Sequence, residues 1–179
     1  MNSPLSLLRR YFMKNYQAKS LDSKHFKLTQ ADTEIGLLEY ESWFSFKAEI
    51  ILANHHRYAV QPKGFWGTTI EVKDQQEQVL LDFKMNWKGQ ILIRTLFGGQ
   101  EDYYILKQKG LLRSTFVLLH GEETELLSLA PDFKWTRLNF DYELVASDAL
   151  EQLPGKELLL LTAIHCANYY LTMMTAAAA

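Results

Sequence analysis

The chain has 179 residues, the usual length of one domain and at most two. Its hydrophobic fraction of 47% is too high for a disordered chain, and its net charge of −2 argues against bulk nucleic-acid binding. A single cysteine, Cys166, excludes a disulfide framework within the chain and a zinc site built from several cysteines.

The N-terminal segment is short and basic. Residues 1–27 carry six basic side chains against Asp22 alone, so the rest of the chain is acidic. Pro4 suits a first helical position, and apolar residues then recur at helical spacing, which predicts an amphipathic helix over residues 4–15. We expect residues 1–25 to precede the main domain and to contact a membrane surface through Arg9, Arg10 and Lys14. The alternative is a solvated surface segment.

Apolar and polar residues alternate with period two from about residue 26 to residue 147. The clearest run places five apolar residues on one face, namely Val79, Leu81, Phe83, Met85 and Trp87. Similar alternation occurs at 46–52, 70–73 and 140–146, and less strictly at Tyr103 and Ile105. Turn residues such as Lys88-Gly89 and Pro131-Asp132 separate these runs. The pattern predicts ten to twelve short antiparallel strands in a meander or barrel.

The last segment, 158–179, carries no Asp, Glu, Lys or Arg, and it predicts an apolar helix over about 156–178. Such a helix can span a bilayer as a C-terminal tail anchor, or it can fill the interior of a barrel. Polar side chains in it, such as His165 and Asn168, favour the interior. The predicted fold is therefore all-β with a central helix: a closed antiparallel barrel of about twelve strands, spanning residues 26–179 and threaded by the C-terminal helix.

This organisation resembles the tubby C-terminal-like superfamily, which includes the LURP-one-related proteins and the phospholipid scramblases. The resemblance covers about residues 26–175 and depends on the strand order, on the Gly64–Gly67 and Phe83–Trp87 elements, and on Asp141–Leu144 followed by the Leu158–Met174 helix. It implies a barrel of about twelve strands around a hydrophobic helix. It also implies association with lipid or membranes, phosphoinositides among them.

Motifs of catalysis are absent: the sequence contains no GxGxxG, P-loop, GxSxG or HExxH pattern. His55-His56 is interpreted as a surface loop, because adjacent strand residues point to opposite faces and cannot share a metal ion. His165-Cys166 is interpreted as a neutral core histidine beside an inert buried thiol. We therefore predict no enzymatic activity, no cofactor and no metal site.

A set of basic residues forms the candidate site for lipid headgroups: Lys73, Lys84, Lys88 and Arg94. In a hairpin that turns at Lys88-Gly89, Lys84 and Arg94 are expected to lie nearly opposite each other on the polar face. Such a cluster can bind phosphate. The alternative is that these residues pair with Asp82 and Glu71.

The sequence thus predicts a non-enzymatic, cytoplasmic module that binds phosphoinositide or another anionic lipid peripherally at a membrane surface, with no nucleic-acid partner. Two alternatives remain open at this point. One is a tail-anchored membrane protein with a cytosolic β domain, and the other is a structural or interaction protein without a small ligand.

Overall fold

The computed structural model describes residues 13–42, 46–64, 67–110, 115–121 and 123–177. Twelve strands are formed by these residues. They are β1 Lys14–Ser20, β2 His25–Gln30, β3 Thr33–Ser42, β4 Lys47–Leu52, β5 Arg57–Pro62, β6 Ile70–Lys73, β7 Val79–Met85, β8 Ile91–Thr95, β9 Asp102–Lys109, β10 Thr115–His120, β11 Thr124–Lys134 and β12 Asn139–Ala146.

The strands form a closed antiparallel barrel in which every strand pairs with its neighbours in the sequence. The barrel closes where β1 pairs with β12, with Tyr16 opposite Leu144. Closure removes the unpaired edges that an open sheet leaves exposed. The predicted barrel of about twelve strands is confirmed.

Apolar side chains alternate into the barrel along the strands, as the sequence predicts. Leu81 and Phe83 of β7 are buried, and so are Tyr142 and Leu144 of β12. Two details differ from the prediction. In β9 the buried residues are Tyr104 and Leu106, whereas Tyr103 is 60% exposed. Strand β7 ends at Met85, so that Trp87 lies in the following turn and is 90% exposed instead of being inward.

The barrel begins earlier in the chain than predicted. Lys14 and Asn15, placed in the sequence at the end of a helix, are the first residues of β1. Because β1 closes the barrel against β12, residues 14–25 belong to the barrel and not to a separate N-terminal segment. The remainder of the helix prediction, residues 4–12, lies outside the described residues.

Two helices follow the last strand: α1, Asp148–Glu151, and α2, Lys156–Ala177. The Ser147 side chain accepts a hydrogen bond from the Leu150 amide and so caps α1. Strand β12 ends beside the beginning of β1, and α2 therefore enters the barrel at that end, here called the start end. It leaves at the opposite end, called the exit end, where the Tyr170 ring approaches Gly89 of the β7–β8 turn.

Helix α2 fills the barrel. Its residues 158–168 are all buried, whereas Met173 and Met174 are 42% and 48% exposed. A helix of 22 residues is about 33 Å long and so is longer than most of the strands, which have four to eleven residues. Of the two environments considered for this segment, the helix therefore occupies the barrel interior.

Among the described helices, none combines the length and the hydropathy of a membrane span.

Gly36 of β3 marks a place where α2 packs close to the barrel strands. A Cβ atom there would lie 2.6 Å from the Ile51 carbonyl oxygen and 2.9 Å from Leu161 Cδ1 of α2. Both distances are shorter than any real carbon contact. Only glycine allows the helix and the β3–β4 pair to approach this closely.

A short polar network crosses the core. The Tyr142 hydroxyl donates to Asn168 Oδ1 at 2.6 Å, and Asn168 Nδ2 donates to the Tyr40 hydroxyl at 3.1 Å. Burial raises the pKa of both tyrosines far above the ordinary value, so both stay protonated. The network ties α2 to β3 and β12.

Candidate functional site

The two ends of the barrel differ in charge. Among the described residues, the connections between strands at the start end contain no Lys or Arg and five acidic residues: Asp32, Asp74, Glu77, Glu101 and Glu123. The helices that follow β12 add Asp148 and Glu151 at this end, where Glu151 pairs with Lys156 of α2. The described connections at the exit end contain one acidic residue, Asp22, and four basic ones: Lys24, Lys63, Lys88 and Arg137. Lys63 pairs with Glu71 and Arg137 pairs with Asp141, so Lys24 and Lys88 are the cations of these connections without an ion-pair partner among the described residues. The difference in charge between the two ends favours approach of a negatively charged partner to the exit end.

Exposed apolar side chains gather at the same exit end. Nine large hydrophobic residues are exposed among the described ones, and all but Met13 and Tyr103 lie at or near this end. The seven are Leu21, Trp87, Phe133, Trp135, Leu138, Met173 and Met174. Trp87 lies in the β7–β8 turn, four strand positions round the barrel from the β11–β12 turn that carries Trp135 and Leu138. These side chains share one end of the barrel, which makes that end the candidate interaction surface.

The β7–β8 turn displays Trp87 on a well-ordered frame. Asn86 Oδ1 accepts hydrogen bonds from the amides of Lys88, at 3.0 Å, and of Gln90, at 2.9 Å. Gly89 takes a φ of 70°, which favours glycine. The Lys88 ammonium lies 5.2 Å from the centre of the Trp87 indole. The turn thus presents an aromatic ring and a cation side by side.

The β11–β12 turn displays a second apolar group. Trp135 is 81% exposed and packs edge-on against Phe133, with ring centres 5.0 Å apart. Leu138 is 73% exposed and has a φ of 50°. Lys134 pairs with Asp132, which raises the pKa of the lysine, and the pair leaves little free positive charge beside Trp135.

Two of the four residues proposed to bind headgroups pair with carboxylates instead. Lys73 lies 3.5 Å from Glu71, whose other oxygen lies 2.9 Å from Lys63. Arg94 binds Asp82 through its guanidinium, which raises the pKa of Arg94. These are the pairings with Glu71 and Asp82 that the sequence left as the alternative.

The hairpin register explains the second pairing. Arg94 lies opposite Asp82, and Lys84 lies opposite Leu92. The prediction that Lys84 and Arg94 lie nearly opposite each other is therefore wrong, because their positions along the ladder are offset by two residues. Lys84 and Lys88 are exposed and have no ion-pair partner among the described residues. Both lie toward the exit end, whereas Lys73 and Arg94 lie toward the start end.

The predicted membrane-contact residues do not join this group. Lys14 is exposed at the beginning of β1, at the start end, and therefore at the opposite end from Lys88. Arg9 and Arg10 lie outside the described residues, as do Phe65 and Trp66 of the Gly64–Gly67 element. The structure thus separates the candidate basic residues into two groups at opposite ends.

The histidine and cysteine interpretations hold. His55 and His56 are exposed in the β4–β5 turn, and His165 and Cys166 are fully buried. Burial lowers the pKa of His165 to about 3 and raises that of Cys166 far above its usual value. In the described part of the chain, no three His, Cys, Asp or Glu side chains are grouped to hold a metal ion.

A surface cleft lies away from the exit end. It has a volume of about 330 Å³ and is lined at the start end by His56, Arg57, Tyr58 and Asp74 among others. Arg57 pairs there with Glu49 at 2.7 Å. This cleft is separate from the exposed apolar residues and contributes nothing to them.

Sequence reasoning missed Leu21, Trp135 and Leu138. It placed a turn at Pro131-Asp132, but β11 continues to Lys134, and Pro131 lies in the ladder opposite Tyr142. The true turn is residues 135–138, Trp-Thr-Arg-Leu. A tryptophan and a leucine inside a turn are the signal that could have identified it, because turns ordinarily carry small polar residues.

Comparison of the chain with protein-family models, with curated proteins and with solved structures finds no match. The fold itself defines the class of molecule: a closed twelve-stranded antiparallel barrel around a C-terminal helix.

Proposed function

We propose that the protein is a non-catalytic module that binds anionic membrane surfaces peripherally through the exit end of its barrel. The observation that carries the proposal is the coincidence, at one end, of exposed apolar side chains and basic connections. Trp87, 90% exposed beside the cation of Lys88, is the clearest example.

Tryptophan beside lysine suits the interface of a bilayer. The indole ring has an apolar body and a polar N–H group and is favoured at the level of the headgroups, where lysine can reach phosphate. Trp87 and Lys88 occupy one rigid turn, so both can meet the same lipid surface without rearrangement. Trp135 and Leu138 add apolar area at the same end.

Charge orients the molecule on such a surface. The basic connections of the exit end are attracted by anionic lipid, and the acidic connections of the start end are repelled. Lys84 and Lys88 are the cations of the sequence-based site that remain available for headgroups, because Lys73 and Arg94 are neutralised by Glu71 and Asp82. Phosphoinositide, with its several phosphates, is the anionic lipid that such exposed cations bind most strongly.

Membership in the tubby-like superfamily remains part of this proposal. The twelve strands and the enclosed C-terminal helix support it, since that organisation is what the resemblance implies. A module that binds only proteins is the competing function, because exposed aromatic residues also serve protein interfaces. Binding to protein-free vesicles distinguishes the two.

The test is co-sedimentation with neutral vesicles, with phosphatidylserine vesicles and with phosphoinositide vesicles, each at two salt concentrations. We expect binding to the anionic vesicles only, and weaker binding at the higher salt concentration. Each basic residue near an anionic surface contributes about 1 kcal/mol, so Lys88→Glu should weaken binding roughly tenfold or more. Trp87→Ser should weaken binding at both salt concentrations, because it removes apolar area.

The matched control is Lys14→Glu, which changes the net charge equally but at the start end. It should bind as the unaltered protein does. Protein that ignores all three kinds of vesicle contradicts the proposal and leaves the protein-binding module. Equal weakening by Lys14→Glu and Lys88→Glu would show that net charge, and not the exit end, governs binding.

A further inference from the structure

We propose that Leu21, Trp135 and Leu138 form a preformed apolar tip that inserts into the bilayer, and that Arg137 is the residue that holds it in position. This inference rests on the proposed function and assigns the inserting element of that site. The three residues belong to two connections, β1–β2 and β11–β12. These connections are neighbours because β1 pairs with β12.

Side-chain hydrogen bonds hold each of the two connections to the neighbouring strand. Arg137 Nε donates to Ser20 Oγ at 3.0 Å, and Arg137 Nη2 donates to Asp141 Oδ2 at 3.0 Å. Ser20 in turn donates to Asp141 Oδ1 through both its amide and its hydroxyl, each at 2.8 Å. Asn139 Nδ2 donates to the Asp22 carbonyl oxygen at 3.0 Å. The planar guanidinium of Arg137 thus bridges the last residue of β1 and β12.

The guanidinium of Arg137 is occupied by this arrangement. Its partners are a carboxylate and a hydroxyl of the barrel, with side chains that are only partly exposed. Arg137 therefore acts on a membrane through the position of its neighbours, Trp135 and Leu138, and not as a headgroup ligand. It is a positioning residue.

The conformation of the turn keeps its apolar side chains in water. Leu138 adopts a φ of 50°, which residues other than glycine rarely adopt and which costs about 1 kcal/mol or more. Its side chain is nevertheless 73% exposed, and Trp135 is 81% exposed. The strain at Leu138 is not offset by burial of its side chain within the protein. Insertion of the tip into a bilayer buries this side chain.

The experiment places a fluorescent label at the tip. Leu138→Cys is labelled with an environment-sensitive dye, and Cys166 stays unlabelled in the folded protein because it is fully buried. Gln76→Cys, in the exposed β6–β7 connection at the start end, is the matched control. With phosphatidylserine vesicles we expect the emission of the label at residue 138 to shift to shorter wavelength and that at residue 76 to stay unchanged.

Two further variants test the energetics and the role of Arg137. Leu138→Ser should weaken vesicle binding about tenfold, the equivalent of losing one buried leucine side chain. Arg137→Lys keeps the charge but loses the planar fork. In the protein labelled at residue 138, Arg137→Lys should reduce the emission shift. Lys88→Glu should weaken vesicle binding by the same factor whether or not Arg137→Lys is present. A general loss of stability would not produce this combination.

The outcomes separate this inference from the proposed function. Protein that sediments with vesicles while the label at residue 138 keeps its emission in water contradicts the apolar tip and leaves peripheral binding intact. Full insertion in Arg137→Lys contradicts the positioning role alone. Absence of sedimentation for every variant and for the unaltered protein contradicts the proposed function, and the tip with it.

Discussion

The imidazole of His165 is stacked on the ring of Tyr40 at the centre of the barrel, with ring centres 5.3 Å apart and planes inclined by 19°. Phe83 meets the same imidazole edge-on at 5.6 Å. Neither ring nitrogen of His165 has a hydrogen-bond partner among the described residues. Burial lowers the pKa of His165 to about 3, so its imidazole is neutral. It packs as an aromatic ring between α2 and the barrel strands.

This position makes the stability of the fold depend on pH. The unfolded chain binds a proton at His165 below a pH of about 6.5, whereas the folded chain does not until the pH approaches 3. The unfolded state thus binds more protons in this interval, and the free energy of unfolding falls as the pH is lowered. Between pH 7 and pH 5 we expect a loss of about 2 kcal/mol, measured by urea denaturation.

His165→Leu should remove most of that loss. The variant should also be at least as stable as the unaltered protein at pH 5, because it removes two buried nitrogens without partners. His56→Leu, which removes an exposed histidine, should retain the pH dependence. An equal slope in the unaltered protein and in His165→Leu between pH 7 and pH 5 contradicts this assignment.

Asn168 should be coupled energetically to Tyr142. Asn168→Leu leaves the buried Tyr142 hydroxyl without its acceptor, which costs about 1 to 3 kcal/mol. Adding Tyr142→Phe removes the stranded hydroxyl. The double variant should therefore be more stable than the sum of the two single losses implies, by about 0.5 kcal/mol or more in urea denaturation. Additive losses would show that the two side chains do not interact in solution.

Gly36→Ala should destabilise the barrel by about 1 to 3 kcal/mol, because the new methyl group meets both a backbone oxygen and Leu161. Leu161→Ala creates a cavity and costs about 2 to 5 kcal/mol on its own. Combined, the two substitutions relieve the contact with the helix, so the double variant should lose less than the sum. A thermal midpoint of Gly36→Ala equal to that of the unaltered protein contradicts the close approach of α2 to β3.

The fold was predictable because its main signals are local. Alternation in runs such as 79–85 determines which face of a strand is buried. The absence of charge in 158–174 requires a helix surrounded by lipid or by protein, and its polar residues His165 and Asn168 favour protein. The first strand was missed because Lys14–Ser20 contributes only Tyr16, Ala18 and Ser20 to the interior, and two of these are small. Its pairing with β12 connects residues more than a hundred positions apart.

The site was harder to predict than the fold, because the ion pair of Arg94 joins two strands whose exact register the sequence does not determine. The observed hairpin is centred on Lys88 and not between Lys88 and Gly89, and this register places Arg94 opposite Asp82. Trp87 was assigned to the interior because it continues the alternation of β7, yet the hydrogen bonds of Asn86 end the strand before it. Successive turns lie at alternating ends of an antiparallel barrel. The end at which a given turn lies can therefore be predicted only when every preceding strand has been identified.

Deletion of residues 158–179 should abolish folding. The interior volume that α2 occupies is on the order of 2,000 Å³ for a helix of this length and diameter. At about 24 cal/mol per Å³ of cavity, an empty barrel of that size loses far more than the 5 to 15 kcal/mol by which domains are stable. Deletion of 175–179 alone is the control, because it begins beyond the exposed Met174. Near-ultraviolet circular dichroism and thermal melting should show a cooperative fold for the shorter deletion only; a cooperative melt of the longer one would mean that the barrel closes without its helix.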